Sequence, residues 1–181
     1  MDSYPYNSIS IYAFHPMYID LNQLGKMKDK EALAVFEARR QELNALPQID
    51  YEAVNNAKRA YLKVMFQQTG RKVLASDEFK RFFEENEHWL LPYAAFSYLR
   101  DLYGTSDFSQ WPEHTEYKAE EIAALCAPDS SCYEEIAFYY YTQYHLHIQL
   151  LDAGNYAREK GIIFKGCLLY TSDAADEARS V

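Results

Sequence analysis

Residues 136–166, IAFYYYTQYHLHIQLLDAGNYAREKGIIFKG, decide the fold. Their apolar side chains recur at helical spacing and share one stripe, which predicts a long helix with one buried face. Just upstream, Ser131 and Glu134 have the spacing of a capping box. We therefore expect the helix to begin at that box and to end near Lys160.

The residues after this helix predict a turn and a strand. Gly161 is expected to stop the helix, since glycine accepts the left-handed conformation that often follows a last turn. Ile162–Lys165 is β-branched and aromatic, which favours a buried strand. A helix, a tight turn and a buried strand together form the αβ half of an α/β unit.

The first part of the chain predicts a loop and two helices. Residues 1–22 are rich in turn-forming Asp, Ser, Asn and Pro. Apolar periodicity then predicts one helix over about 28–44 and a second over 50–70, which Gly70 should terminate.

The middle of the chain predicts three more helices. Ser76 is a candidate N-cap. We expect a break near Pro92, because proline clashes with the preceding helical turn, and an end at Gly104. A short helix follows over 118–126.

Composition limits the classes of function. The 181 residues are 49% hydrophobic, carry a net charge of −9 and contain no dense Lys/Arg run, which argues against nucleic acid and anionic membranes as partners. No apolar run is long enough to span a bilayer. The three cysteines lack the spacing of a disulfide framework or zinc site, so we expect a reducing, cytoplasmic location. The 17 tyrosines suit sugar binding and helix packing equally well.

Read residue by residue, the sequence shows no complete catalytic or metal site. Adjacent glutamates such as Glu134–Glu135 point about 100° apart on a helix and do not face each other as an acid/base pair. His145 and His147 would share a metal only on a strand, and the surrounding pattern is helical. We predict that His147 is a packed or hydrogen-bonded helix residue. No metal and no cofactor are expected.

Four blocks, in order, resemble the 4-α-glucanotransferases, also called amylomaltases or disproportionating enzymes (glycoside hydrolase family 77). In the first block Tyr4 is inserted and His15 replaces the usual asparagine, as in the branch that includes plant cytosolic and Bacteroides-type enzymes. The blocks are DSYPYNSISIYAFHPMYIDL (2–21), HWLLPYAAFSYLRDLYG (88–104), WPEHTEY (111–117) and residues 136–166.

The resemblance implies a fold that is mainly α as it stands and is an internal fragment of a TIM-like (β/α)₈ barrel. Residues 1–22 would be an active-site loop segment and 23–130 a helical insertion. Residues 131–166 would be a helix plus one barrel strand. The family's next motif should follow Gly166, but CLLYTSDAADE stands there and resembles a translated sequencing-library adapter. We therefore expect 167–181 to be a non-native tail.

The activity that the resemblance implies is the transfer of α-1,4-glucan segments between maltooligosaccharides by a retaining double displacement. The catalytic carboxylates would lie downstream of this chain, so the fragment itself should be inactive. Tyr6 would contact the donor sugar ring and Ser3 would lie near the same subsite. Asp2 would either contact sugar or stabilise the turn. Without the resemblance, Tyr6 would be read as a packed loop tyrosine.

Other residues are expected to have structural roles. His15 should brace the loop, and Gln143 and His147 should pack the long helix against the barrel. Trp89 and Trp111 should fill the core of the insertion. The sequence also permits an autonomous all-helical, Tyr-rich binding module, or a small metalloenzyme that uses the histidines.

Overall fold

The computed structural model of the protein describes residues 9–164, which are helical apart from their connections. The five α-helices are α1 (Lys30–Asn44), α2 (Tyr51–Leu74), α3 (Asp77–Tyr103), α4 (Ala119–Leu125) and α5 (Tyr133–Glu159). Short 3₁₀ turns occupy Pro16–Tyr18, Leu21–Leu24 and Phe108–Gln110. Over this described range, none of the helices has the length and apolar character needed to cross a membrane.

Side-chain caps start the first three helices. The carboxylates of Asp29 and Asp50 and the hydroxyl of Ser76 accept hydrogen bonds from backbone N–H groups in the first turns of α1, α2 and α3. Each cap occupies a donor that would otherwise lack a partner. The predicted cap at Ser76 is confirmed, as are the helices at 28–44 and 118–126 to within two residues.

The core lies between α2, α3 and α5. It is unusually aromatic, and the tyrosines of α5 form much of it, since Tyr140 and Tyr141 are 1% and 0% exposed. The Tyr140 ring packs edge-to-face on Phe83, and the Tyr141 hydroxyl lies 3.0 Å from Thr69 Oγ1 of α2. Other buried members include Leu62, Met65, Phe79, Phe82, Leu90, Ala94, Ile136 and Tyr144.

Gly70 does not end α2, contrary to the sequence prediction. The helix continues to Leu74, and Gly70 is buried inside it. A Cβ at this position would lie 2.5 Å from the ring of Phe66, which itself packs on Phe138 and Tyr141. Glycine is present here because an aromatic ring approaches the backbone closely.

Pro92 does not break the helix, which is a second correction. A single helix α3 runs through it from Asp77 to Tyr103. Proline costs its helix about 3 kcal/mol. Leu90 and Ala94 on either side are fully buried, so packing holds both halves in line. Gly104 ends the helix with a φ of 72°, as predicted.

The capping box at Ser131 and Glu134 is also wrong. α5 begins at Tyr133, and Cys132 occupies the N-cap position without a side-chain cap. A turn at Ser130 leads the chain into the helix instead, because the Ser130 carbonyl accepts a hydrogen bond from Tyr133 N–H at 3.1 Å. Glu134 pairs with exposed Arg71.

The end of α5 follows the prediction, but the strand does not form in the described residues. Gly161 has a φ of 72°, and Ile162 N–H donates to Ala157 O at 2.9 Å, which makes a Schellman turn. Ile162–Phe164 then lie exposed without a strand partner. A strand requires a neighbour, and none is present in residues 9–164; Lys165 lies outside them. The barrel fragment and the domain boundaries therefore stay predictions.

Candidate functional site

An open cleft of about 1570 Å³ lies beside the segment that precedes α1. Residues 9–18 form one wall of this cleft, with Phe14, His15 and Tyr18 facing it. Helices α2, α3 and α5 form the rest. Segment 9–29 is anchored below the cleft by the buried side chains of Ile19, Leu24 and Met27.

Two aromatic side chains that line the cleft, His88 and Trp89, both contact Tyr12. The rings of Tyr12 and Trp89 stack with centroids 6.1 Å apart and planes inclined by 22°. His88 meets Tyr12 edge-on at 5.8 Å. Trp89 Nε1–H donates to Asn86 Oδ1 at 2.9 Å, which fixes the indole ring.

The floor of the cleft carries a network of charges around Asp101. Tyr139 OH donates to Asp101 Oδ2 at 2.5 Å, and Arg59 forms an ion pair with the same oxygen. Arg100 donates from both Nε and Nη2 to Oδ1, at 2.9 and 2.8 Å. The network joins α2, α3 and α5 at one point. Arg59 also lies 5.9 Å and 5.8 Å from the ring centroids of Phe138 and Tyr139.

This network keeps Asp101 ionised. Burial by itself raises the pKa of the Asp101 carboxyl, but hydrogen bonds from Tyr139 and Arg59 and the charge of Arg100 outweigh it and lower the pKa. Burial and the bond to Asp101 raise the pKa of Tyr139. Among the described residues that line the cleft, Asp101 alone is acidic. Since its oxygens are engaged by three side chains, Asp101 is unsuited to act as a nucleophile or proton donor.

The cleft therefore offers aromatic faces and neutral or cationic hydrogen-bond donors, without a free carboxylate in its described lining. Asn55, Asn56 and Thr142 add polar groups to the walls. Residues 9–164 contain no group of three or more His, Cys, Asp or Glu side chains placed to hold a metal ion.

The predicted sugar-binding residues Tyr6, Ser3 and Asp2 lie outside the described residues, and their roles stay predictions. Tyr6 precedes the first cleft wall residue, Ile9, by three positions.

The predicted structural roles of the two histidines and the two tryptophans are confirmed in part. His15 braces the loop, as expected, because its Nδ1 accepts from Met17 N–H at 3.2 Å and so caps the first 3₁₀ turn. Burial, followed by the charge of Arg100, lowers the pKa of His15, which favours the neutral ring that this bond needs. His147 packs on Phe82 of α3 at 4.9 Å, as expected for a packed helix residue, whereas the packing of Gln143 and His147 against a barrel stays a prediction. Trp111 is buried, whereas Trp89 is half-buried at the cleft rather than in the core.

Sequence reasoning missed the Asp101 network and the residues that hold segment 9–29. One sequence signal could have indicated the Asp101 network. An acidic residue in the last turn of a helix is unfavourable beside the negative end of the helix dipole, so it is expected to have a positively charged partner. Asp101 occupies such a position in α3. Its partners Arg59 and Tyr139 lie 42 and 38 residues away, and no spacing rule connects them.

Comparison with known proteins assigns the family. The pattern of the family described as 4-alpha-glucanotransferase, glycoside hydrolase family 77, matches residues 1–173. That match extends seven residues into the segment predicted to be a foreign tail, whose boundary stays a prediction. No solved structure matches the chain.

Three curated relatives show the range of similarity. Rice 4-alpha-glucanotransferase DPE2 (Oryza sativa subsp. japonica) is 40% identical over 92% of this chain and 18% of its own length. The 4-alpha-glucanotransferase of Chlamydia muridarum is 29% identical over 96% of this chain and 33% of its own length. That of Thermus thermophilus is 32% identical over 77% of this chain and 27% of its own length.

This chain thus spans a third or less of the length of these relatives. The match to the family pattern nevertheless covers nearly all of its residues. The chain therefore belongs to the 4-alpha-glucanotransferase family.

Proposed function

We propose that this chain forms the loop and helical part of the glucan-binding region of a cytoplasmic 4-alpha-glucanotransferase. The enzyme would transfer α-1,4-glucan segments between maltooligosaccharides by a retaining double displacement. The observation that carries this proposal is the family match over residues 1–173. The cleft beside residues 9–18 would hold glucosyl units, and Tyr6, with Ser3 and Asp2 near it, would contact the donor sugar.

The chemistry of the cleft supports a neutral, polyhydroxylated ligand. Sugar rings present apolar C–H faces that pack on aromatic rings, and their hydroxyls accept hydrogen bonds from Asn, Arg and Tyr side chains. Trp89, which lines the cleft and stacks on Tyr12, supplies such an aromatic ring, and Asn55 and Asn56 supply polar groups in the wall.

The chain binds glucan but does not perform the chemistry, in this proposal. A retaining transfer requires one carboxylate as nucleophile and a second carboxylic acid about 5–5.5 Å away. In the described cleft lining, the one carboxylate is Asp101, which is engaged by Arg59, Arg100 and Tyr139. The nucleophile and the acid would come from the remainder of a longer enzyme.

The test compares two polypeptides in a maltotriose disproportionation assay, with glucose release as the readout. The 181-residue chain should show no transfer, and the longest protein encoded by the genomic reading frame that contains residues 1–166 should show it with retention at the anomeric carbon. In that longer protein, Tyr6→Ala should reduce kcat/KM by about 100-fold, because a sugar-stacking ring is lost. Tyr117→Ala removes a tyrosine that is 69% exposed and outside the cleft, and should change nothing.

Two results would contradict the proposal. Transfer by the 181-residue chain alone would show that the catalytic carboxylates are already present in it. Absence of any transfer by the longer protein would remove the proposed activity.

The alternative functions receive less support from the described residues. A Tyr-rich binding module needs its tyrosines on the surface, but five of them, Tyr61, Tyr139, Tyr140, Tyr141 and Tyr144, are buried. In a metalloenzyme the histidines would converge, whereas His145 packs between Tyr141 and Tyr144 and His147 packs on Phe82.

A further inference from the structure

Two glutamine side chains of α5 bind the backbone of segment 9–29, at Phe14 in the cleft wall and at Asp20 just beyond it, as a neighbouring β-strand would. Gln143 accepts from Phe14 N–H at 2.9 Å through Oε1 and donates to Phe14 O at 2.8 Å through Nε2. Gln149 does the same to Asp20, at 2.8 and 2.9 Å. A segment without secondary-structure partners thus has its backbone groups satisfied by side-chain amides, as buried backbone requires.

The Gln143–Phe14 and Gln149–Asp20 contacts have the same spacing on the helix and on the segment. Six residues separate Gln143 from Gln149 on the helix, and six separate Phe14 from Asp20 on the segment. Six helical residues rise by about 9 Å, whereas six extended residues would span about 20 Å. The 3₁₀ turn at Pro16–Tyr18, which His15 caps, shortens the segment between the two contacts.

Helix α2 also binds this segment. Lys58 Nζ donates to Met17 O at 2.6 Å and to Ile19 O at 2.9 Å. Gln143, which is 1% exposed, also donates to Tyr93 OH at 3.1 Å, and Tyr93 lines the cleft. Three side chains that do not line the cleft therefore set the position of its wall. They are Gln143, Gln149 and Lys58.

We propose that Gln143 and Gln149 are positioning residues for the glucan site: their amides fix residues 14–20, and with them the cleft wall. This inference rests on the proposed function. The displacement of a binding group by about 1 Å costs up to 100-fold in rate, so loss of either contact should weaken glucan binding well beyond its effect on folding.

The chain supplies a matched control. Gln68 of α2 makes the same kind of contact farther along the segment, accepting from Lys28 N–H at 2.7 Å and donating to Lys26 O at 2.9 Å. Neither Lys26, Lys28 nor Gln68 lines the cleft. Gln68→Leu therefore removes an equivalent pair of hydrogen bonds without disturbing the cleft wall.

The experiment measures maltotriose kinetics in the longest protein encoded by the genomic reading frame that contains residues 1–166. Gln143→Leu and Gln149→Leu should each raise KM and lower kcat/KM about tenfold or more, while Gln68→Leu stays within about twofold. A merely structural role would reduce the fraction of folded enzyme, which lowers kcat and leaves KM unchanged. Hydrogen exchange should rise at residues 14–20 in the first two variants and near 26–28 in the third.

Gln143→Glu keeps the folded shape and adds a readout in pH. The ionised carboxylate accepts from Phe14 N–H but faces the Phe14 carbonyl without a proton to donate, and the protonated acid restores that donor. The KM of this variant relative to wild type should therefore fall as the pH is lowered from 8 to 5. A ratio that stays constant and well above one over that range would overturn the inference.

The outcomes separate the inference from the proposed function. If the wild-type protein transfers no glucan, the proposed function fails. If it transfers glucan and Gln143→Leu retains the wild-type KM although residues 14–20 exchange faster, the positioning inference alone is overturned. Equal KM increases in Gln143→Leu and Gln68→Leu would overturn it as well.

Discussion

Helix α5 contacts the rest of the molecule in two different ways. Ile136, Tyr140 and Tyr144 are buried in the core, where apolar burial and the packing of the two tyrosine rings on α3 stabilise the bundle. Gln143 and Gln149 of the same helix instead bind segment 9–20, where four hydrogen bonds to backbone replace apolar contact. The bundle is stabilised by buried apolar area, which changes little when side chains shift slightly. The cleft wall is stabilised by hydrogen bonds, which weaken steeply when their geometry is distorted.

The largest expected effect is in the bundle. Leu90→Ala removes a fully buried side chain of α3 and should lower the free energy of unfolding by about 3 kcal/mol, through lost transfer energy and the cavity left behind. Val35→Ala, at a position that is 71% exposed on α1, should change it by less than about 0.5 kcal/mol. Urea unfolding of the 181-residue chain gives both values. Equal losses would show that the bundle is not packed around α3.

Lys58→Met tests the other side of the comparison. The carbonyls of Met17 and Ile19 lose their ammonium partner, which should cost about 2 kcal/mol. The loss should be local, so that hydrogen exchange increases at residues 14–20 while the cores of α2 and α5 keep their protection. Lys63→Met, on the same helix and exposed at the cleft, is the control. Uniformly faster exchange in all helices would mean that segment and bundle unfold as one unit.

These two regions also differ in how far sequence predicts them. The apolar period of α5 depends on residues a few positions apart, so the helix and its stop at Gly161 could be predicted. The hydrogen bonds of Gln143 and Gln149 join residues 129 positions apart, and no local pattern records them. Pro92 failed as a helix breaker for the same reason, because the burial of Leu90 and Ala94 decides its conformation.

The candidate site shows the same division. His15 could be assigned as a brace because its bond to Met17 is local, two residues along the chain. The charge network of Arg59, Asp101 and Tyr139 could not, because it forms only when three helices meet. The match to a known family covers residues 1–173 but supplies none of these contacts.

The next largest expected effect is on the pH dependence of the free energy of unfolding, and it arises from His145 in the bundle. Burial lowers the pKa of His145 to about 4, and its Nε2 has no hydrogen-bond partner. Because the unfolded chain takes up this proton near its ordinary pKa of about 6.5, the contribution is complete above that pH and is lost as the pH falls toward 4. The loss at pH 5 should be about 1–2 kcal/mol.

His145→Leu isolates this contribution. Burial also lowers the pKa of His15, which acts in the same direction, so only the difference between wild type and His145→Leu is assigned. The variant should show a flatter dependence of unfolding free energy on pH between 7 and 5, measured by urea titration at each pH. Parallel curves for the two proteins would show that His145 is protonated as readily in the folded chain as in water.

The smallest effects compare two serines at helix starts. Ser76 Oγ accepts from Phe79 N–H at 3.2 Å at the start of α3, so Ser76→Ala should cost about 1 kcal/mol. Ser131 has the better sequence pattern but caps nothing, since α5 begins at Tyr133 after a turn made by Ser130. Ser131→Ala should therefore change the free energy of unfolding by less than about 0.5 kcal/mol. Equal costs at the two positions would restore the capping box, and would mean that α5 starts one residue earlier in solution, at Cys132.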